Sequence, residues 1–168
     1  MPINQWSDTM QFINQNSFLI LGIFLIVVLV LWRLREGFRT QDWVAIGALV
    51  AGFVLAFGIF RPTSQPGSVS RFEDNLGQGS PLLLTFQSPY CLACMSARPF
   101  LDRIEEQHPE LTVVRLNIQD TAAAGILDEY GFQYTPTFIM FDPDGEELWR
   151  TPFAIDPEWV DETMESLP

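Results

Sequence analysis

The chain has 168 residues, 48% of them hydrophobic and only 18% charged, more apolar matter than one soluble core of that size ordinarily holds. Its nine basic residues, all arginine, face 21 acids for a net charge of −12, and so acidic a chain is repelled by phosphate backbones, which excludes nucleic acid as a partner. Two cysteines are too few for a multi-bridge secreted scaffold, so the soluble fold has to hold by its core alone.

The charge is unevenly placed. Through Phe60 the acids Asp8, Glu36 and Asp42 balance Arg33, Arg35 and Arg39, and the whole deficit lies beyond. The first long apolar run, "SFLILGIFLIVVLVLW" at 17–32, has no charge; at about 1.5 Å per residue, a helix over 11–32 would cross a ~30 Å hydrocarbon layer. The second, "WVAIGALVAGFVLAFGIF" at 43–60, is also uncharged, and its Gly47, Gly52 and Gly58 suit close packing on the first. Hydrophobicity all round, twice in succession, speaks against buried core helices. No Lys or Arg precedes the first run and a second run follows it, which speaks against a cleavable signal peptide. Residues 1–60 are therefore expected to form a membrane anchor in contact with lipid, with two transmembrane helices at about 11–32 and 43–60. The connection "RLREGFRTQD" carries three arginines in ten residues, so it is expected to face the cytoplasm and both termini the outside.

"RPTSQPGSVS", from 61 on, is rich in Pro, Gly and Ser and reads as a tether over 61–69. A soluble domain is expected over 70–168, opening with a helix capped by Ser70. "PLLLTFQ" at 81–87 has the length of a buried strand, and a helical stretch follows it through Gln107, with Phe100, Leu101 and Ile104 on one face. "LTVVRLNI" at 111–118 is the next strand, and "TAAAGILDEYG" predicts a helix over 121–130 that ends at Gly131. The order strand, helix, strand, helix points to a parallel βαβ unit. "TFIMFDPDGEELWR" predicts an antiparallel hairpin around "DPDG". "DPEWVDETMESL" predicts a closing amphipathic helix with Asp156 as cap and Pro157 at its first position.

Both cysteines lie in "SPYCLACMSARP", directly after the first predicted strand and at the opening of a helix. Three readings are open: a thiol pair that makes and breaks a disulfide, half of a zinc site, or two small core hydrophobes. A zinc site needs about four ligands, and the chain adds only His108, which the helix reading places at the far end; no metal is expected. At a helix start, free N–H groups and the positive end of the dipole stabilise a negative sulfur. On the redox reading Cys91 is the exposed, acidified nucleophile, and Cys94, one turn further in, resolves a mixed disulfide formed on it.

From about Ser70 to Leu167 the chain resembles a thioredoxin. The resemblance rests on "PLLLTFQSPYCLAC", Pro99 five residues after the second cysteine, "VVRLNI", "YGFQYTPTFIMF" and the "DPDG" hairpin. It implies an α/β thioredoxin-like domain, a central mixed sheet flanked by helices, behind the two-helix transmembrane hairpin. It also implies that Pro136 is a cis-proline lying against the cysteines, that Thr135 presents its backbone to an extended substrate, and that Tyr90 borders that substrate. The chain departs from the family in Tyr90 for the usual tryptophan, Leu92-Ala93 for the usual Gly-Pro, and Thr85 where the buried aspartate falls. Without that carboxylate, resolution by Cys94 is expected to be slow.

The expected function is a membrane-tethered thiol-disulfide oxidoreductase, a reductase rather than an oxidase, facing the extracytoplasmic side of a bacterial plasma membrane. No cofactor is expected beyond a redox-active Cys91–Cys94 disulfide. The expected partners are protein disulfide or dithiol substrates and a transmembrane thiol electron donor. The alternative is a non-catalytic thioredoxin-like interaction module in a membrane complex.

Overall fold

Three short, nearly continuous apolar runs build the sheet. In the computed structural model, which describes residues 3–36, 40–60 and 67–167, these runs form β1 (Leu82–Gln87), β2 (Thr112–Asn117) and β3 (Thr137–Phe141), with β4 (Glu147–Pro152) at one edge in the order β2-β1-β3-β4. β1 is buried along its whole length because strands flank it on both edges and helices cover both faces. It pairs parallel with β2, Leu82 opposite Thr112 through Gln87 opposite Asn117, and α5 (Leu92–Gln107) makes the crossover. β3 runs antiparallel to β1, with Leu84 opposite Ile139, and β4 returns antiparallel to β3. The sheet is thus mixed, as expected.

Successive residues of each strand point to opposite faces, and two cores follow. Leu82, Leu84, Phe86, Ile139 and Phe141 pack on one side with Phe72 of α4 (Ser68–Asn75) and Ile126 of α6 (Ala124–Glu129). Leu83, Phe138 and Met140 pack on the other with Leu101 and Ile104 of α5 and Val160 of α7 (Pro157–Ser166). The β3–β4 turn closes through the Gly145 N–H donating to the Asp142 carbonyl at 3.1 Å. Gly145 has φ 86°, and a Cβ there would sit 3.1 Å from the Gly77 nitrogen, so both conformation and space call for glycine. Asp156 caps α7 by accepting from the Glu158 N–H at 3.0 Å.

Three local expectations are corrected. Ser70 is not a cap: α4 starts at Ser68, behind Gly67, whose left-handed φ of 70° makes the turn with no side-chain cap. The helix expected over 121–130 begins as a 3-10 turn, Thr121–Ala123, because the Asp120 carboxylate accepts the Ala122 N–H and sets a tighter start. The helix expected over 11–32 is broken. α1 (Ile3–Gln15) and α2 (Ser17–Glu36) meet at Asn16 with a bend of 81°. Asn14, Gln15 and Ser17 bond Thr135, Ser88 and Leu92 across the joint, whereas Asn16 keeps its N–H on the Phe12 carbonyl.

α3 (Thr40–Phe60) lies against α2. Gly47, Gly52 and Gly58 do not make that contact, since a Cβ at any of them would meet nothing within 4 Å; Gly22 of α2 does, since a Cβ there would strike the Phe53 ring. Among the described residues no single helix is long and apolar enough to cross a membrane, although α1 and α2 pass that test as a bent pair. Most of the tether expected over 61–69 lies outside the described residues.

Phe138, fully buried between β3, α5 and α7, is the direct test of the second core. Phe138→Ala is expected to destabilise the domain by about 3–5 kcal/mol, read as a lowered midpoint in denaturant unfolding followed by tryptophan fluorescence. Glu146→Ala, on the exposed turn, should leave the midpoint within about 0.5 kcal/mol.

Candidate active site

β1 ends at Gln87, and four residues later the chain turns into α5 with Cys91 as its cap. Cys91 has extended backbone angles, φ −91° and ψ 117°, which aim its sulfur back over the first turn. The Cys94 N–H donates to that sulfur at 3.2 Å, the bond an Asp or Ser side chain would make at an ordinary helix cap. On the other side Cys91 Sγ lies 3.4 Å from the Thr135 carbonyl oxygen. Thr135 is joined to Pro136 by a cis peptide bond directly ahead of β3. The fold thereby brings together Cys91, Cys94, Thr135 and Pro136, residues up to 45 positions apart in the chain.

The two thiols are electrostatically unequal. The Cys91 pKa is lowered to about 7, above all by the hydrogen bond from the Cys94 thiol, with help from the Thr135 side chain and the Cys94 and Ala93 N–H groups, against the upward push of burial. The Cys94 pKa is raised, first by burial and then by its donation to Cys91 and the negative charge there. Such a pair can hold one sulfur ionised near neutrality while the other keeps its proton. Thr85 lies on the same face of the sheet as α5; it is 1% exposed, and its Oγ1 has no hydrogen-bond partner among the described residues. Pro99, one turn beyond Cys94, interrupts the hydrogen-bond ladder of α5.

One expectation fails. Cys91 is not exposed: its relative accessibility is 0%. The cover comes from the α1–α2 joint, a contact that the sequence reading missed. The Asn14 carboxamide donates to the Thr135 carbonyl at 2.9 Å and accepts the Thr135 N–H at 2.7 Å. Ser88 Oγ donates to the Gln15 carbonyl at 2.8 Å, and the Leu92 N–H donates to Ser17 Oγ at 3.0 Å. Tyr90 is half-buried and stacks on Phe57 of α3 with ring centroids 5.6 Å apart, so its ring faces the helical hairpin. The available signal was four consecutive polar residues, Asn14 to Ser17, interrupting an otherwise helical apolar stretch. His108 caps the far end of α5 and bonds Asp161 at 2.7 Å, away from the thiols.

The model of the thioredoxin-like domain family matches residues 70–167. The chain is 27% identical over 97 residues to the thioredoxin-like protein HCF164 of Arabidopsis thaliana, covering 57% of this chain and 37% of that protein; it thus spans little more than a third of that relative's length. It is 31% identical over 80 residues to a thioredoxin of Synechocystis, covering 47% of this chain and 73% of the thioredoxin. Among solved structures, thioredoxin O1 from Arabidopsis thaliana in its oxidised state superposes with a TM-score of 0.51 at 17% identity, over 63% of this chain and 94% of that one, which speaks to fold alone. By the family match and the fold together, this chain belongs to the thioredoxin-like domain family.

Proposed function

We propose that the chain is a membrane-tethered thiol-disulfide oxidoreductase that reduces protein disulfides on the extracytoplasmic side. The observation that carries the reading is the Cys91 sulfur seated as the cap of α5, acidified while its neighbour Cys94 is not. The Cys91 thiolate attacks one sulfur of a substrate disulfide, forming a Cys91–substrate disulfide and releasing the other substrate sulfur as a thiolate, which takes up a proton. Cys94, losing its proton to water or base, then attacks Cys91 Sγ. The mixed disulfide breaks, the second substrate thiol leaves, and Cys91–Cys94 remains as a disulfide. Two electrons have passed to the substrate. A dithiol donor has to return them, and on the outer side that donor is reached across the membrane.

The raised pKa of Cys94 and a buried hydroxyl, not a carboxylate, at Thr85 support a slow second step. The short passage between β2 and β3, with only a 3-10 turn and α6, supports a reductase over those oxidants of the superfamily that carry an added helical domain. Membrane attachment is supported by the outward side chains of α2 and α3: Phe24, Leu31, Trp32, Trp43, Val44 and Leu55 are each half or more exposed, an uncovered apolar surface that water disfavours and lipid accepts. The covered Cys91 favours the second reading, a non-catalytic interaction module in a membrane complex.

Assay of the full chain in lipid discs separates the two. With a dithiol supplied, it should reduce a protein disulfide; Cys91→Ser should bring the rate to background, and Cys94→Ser should accumulate mixed disulfides with substrate. A wild-type rate equal to that of Cys91→Ser would leave the interaction module. For topology, a reporter fused after Gln65 should be active only if it is of the kind that works outside the cytoplasm; activity of a cytoplasm-only reporter there would reverse the orientation.

A further inference from the structure

We propose that the α1–α2 joint, Asn14 to Phe18, is an internal occupant of the substrate groove that keeps Cys91 closed until it is displaced. The joint meets the thioredoxin-like domain through hydrogen bonds that span 72 to 121 positions of sequence, and they converge on the residues around the thiol. A carboxamide carries the donor and acceptor of a peptide group. Asn14 uses both on the backbone of one residue, Thr135, donating to its carbonyl at 2.9 Å and accepting its N–H at 2.7 Å, while Oδ1 also accepts from Thr135 Oγ1 at 3.0 Å. That is the two-point pairing a neighbouring extended chain would make, supplied here from a side chain.

The next residues continue along the groove. Ser88 Oγ holds the Gln15 carbonyl at 2.8 Å, Ser17 Oγ takes the Leu92 N–H at the opening of α5, and the Phe18 N–H donates to the Tyr90 carbonyl at 3.0 Å. Phe18 stacks between Phe53 and Phe57, at 4.5 and 5.7 Å, and Phe57 stacks on Tyr90 at 5.6 Å. The joint is thereby tied both to the helical hairpin and to the loop that carries Cys91. Thr135, Ser88 and Cys91 are all at 0% exposure. The Thr135 N–H and carbonyl that Asn14 occupies cannot pair at the same time with an incoming polypeptide, and a disulfide cannot approach Cys91 Sγ while the joint stays seated.

The inference rests on the thiol-disulfide reading for what the joint excludes, but the closure itself is measurable without turnover. In the full-length reduced protein, the rate at which iodoacetamide modifies Cys91, mapped by mass spectrometry, and hydrogen exchange at the Thr135 amide report the open fraction directly. Asn14→Ala should raise the alkylation rate by about tenfold or more and speed Thr135 exchange, since the open fraction scales both. Asn14→Asp, which keeps the acceptor and loses the donor, should do so in the same direction, and Ser17→Ala should act on an independent contact. Equal alkylation and exchange in the wild type and all three variants would overturn the closure, even if each reduces a protein disulfide normally. Faster alkylation in the variants with no disulfide reduction by any of them would uphold the closure and remove the oxidoreductase reading.

Discussion

Cys94 holds the sulfur of Cys91 twice, most strongly by its thiol and also by its backbone N–H at the first turn of α5, and the acidity of Cys91 depends on that hold. A helix start leaves N–H groups without intrahelical partners, and here one of them finds a polarisable sulfur in place of the usual oxygen. The bond satisfies the cap and stabilises the thiolate at once. It exists because β1, an interior strand, delivers the chain to a fixed point at its carboxyl end, where four residues suffice to turn from strand into helix. The buried register of β1 between β2 and β3 is therefore what sets the position of the sulfur, and the fully buried side chains on both faces hold that register.

Two cysteines a helical turn apart share a sequence motif but not an environment. Cys91 collects hydrogen bonds at the cap, and these outweigh its burial; Cys94 is buried against the sheet and faces the negative charge of its partner. The asymmetry separates the two ionisations, Cys91 losing its proton first while Cys94 keeps its own. Thr85 sharpens the point. Its hydroxyl lies on the α5 face of the sheet and cannot serve as a base near neutral pH, so the second proton has to leave by way of water or another carrier.

Much of the domain was legible in the sequence because its signals are local. The run of strand residues at 82–87, the Asp156-Pro157 cap and the "DPDG" turn each fix their own backbone within a few residues, and the structure follows them. What sequence could not disclose is pairing across long separations. Nothing near Asn14 announces Thr135, 121 positions away, and the hydropathy of the following run invited an unbroken helix through the polar stretch. Likewise the glycines of α3 advertised a contact that Gly22 and Phe53 make, since which face of an apolar helix meets its neighbour is decided by its bends and ends. The covering of Cys91 follows from that break, and it too was out of reach.

The two parts of the chain meet at the polar joint that sits on the thiol and again where α3 reaches Tyr90 and Arg98. The claim that carries the rest is the division of charge between the sulfurs, and it is tested most directly by following thiolate absorbance in the reduced protein as pH is raised, with Cys91→Ser and Cys94→Ser measured alongside. The Cys91 thiol has its pKa lowered to about 7, chiefly by the hydrogen bond from the Cys94 thiol, so ionisation should rise through that pH in a first step lost in Cys91→Ser, while Cys94 stays protonated well beyond it. A single step near the ordinary thiol value, or a first step that survives Cys91→Ser, would contradict the account.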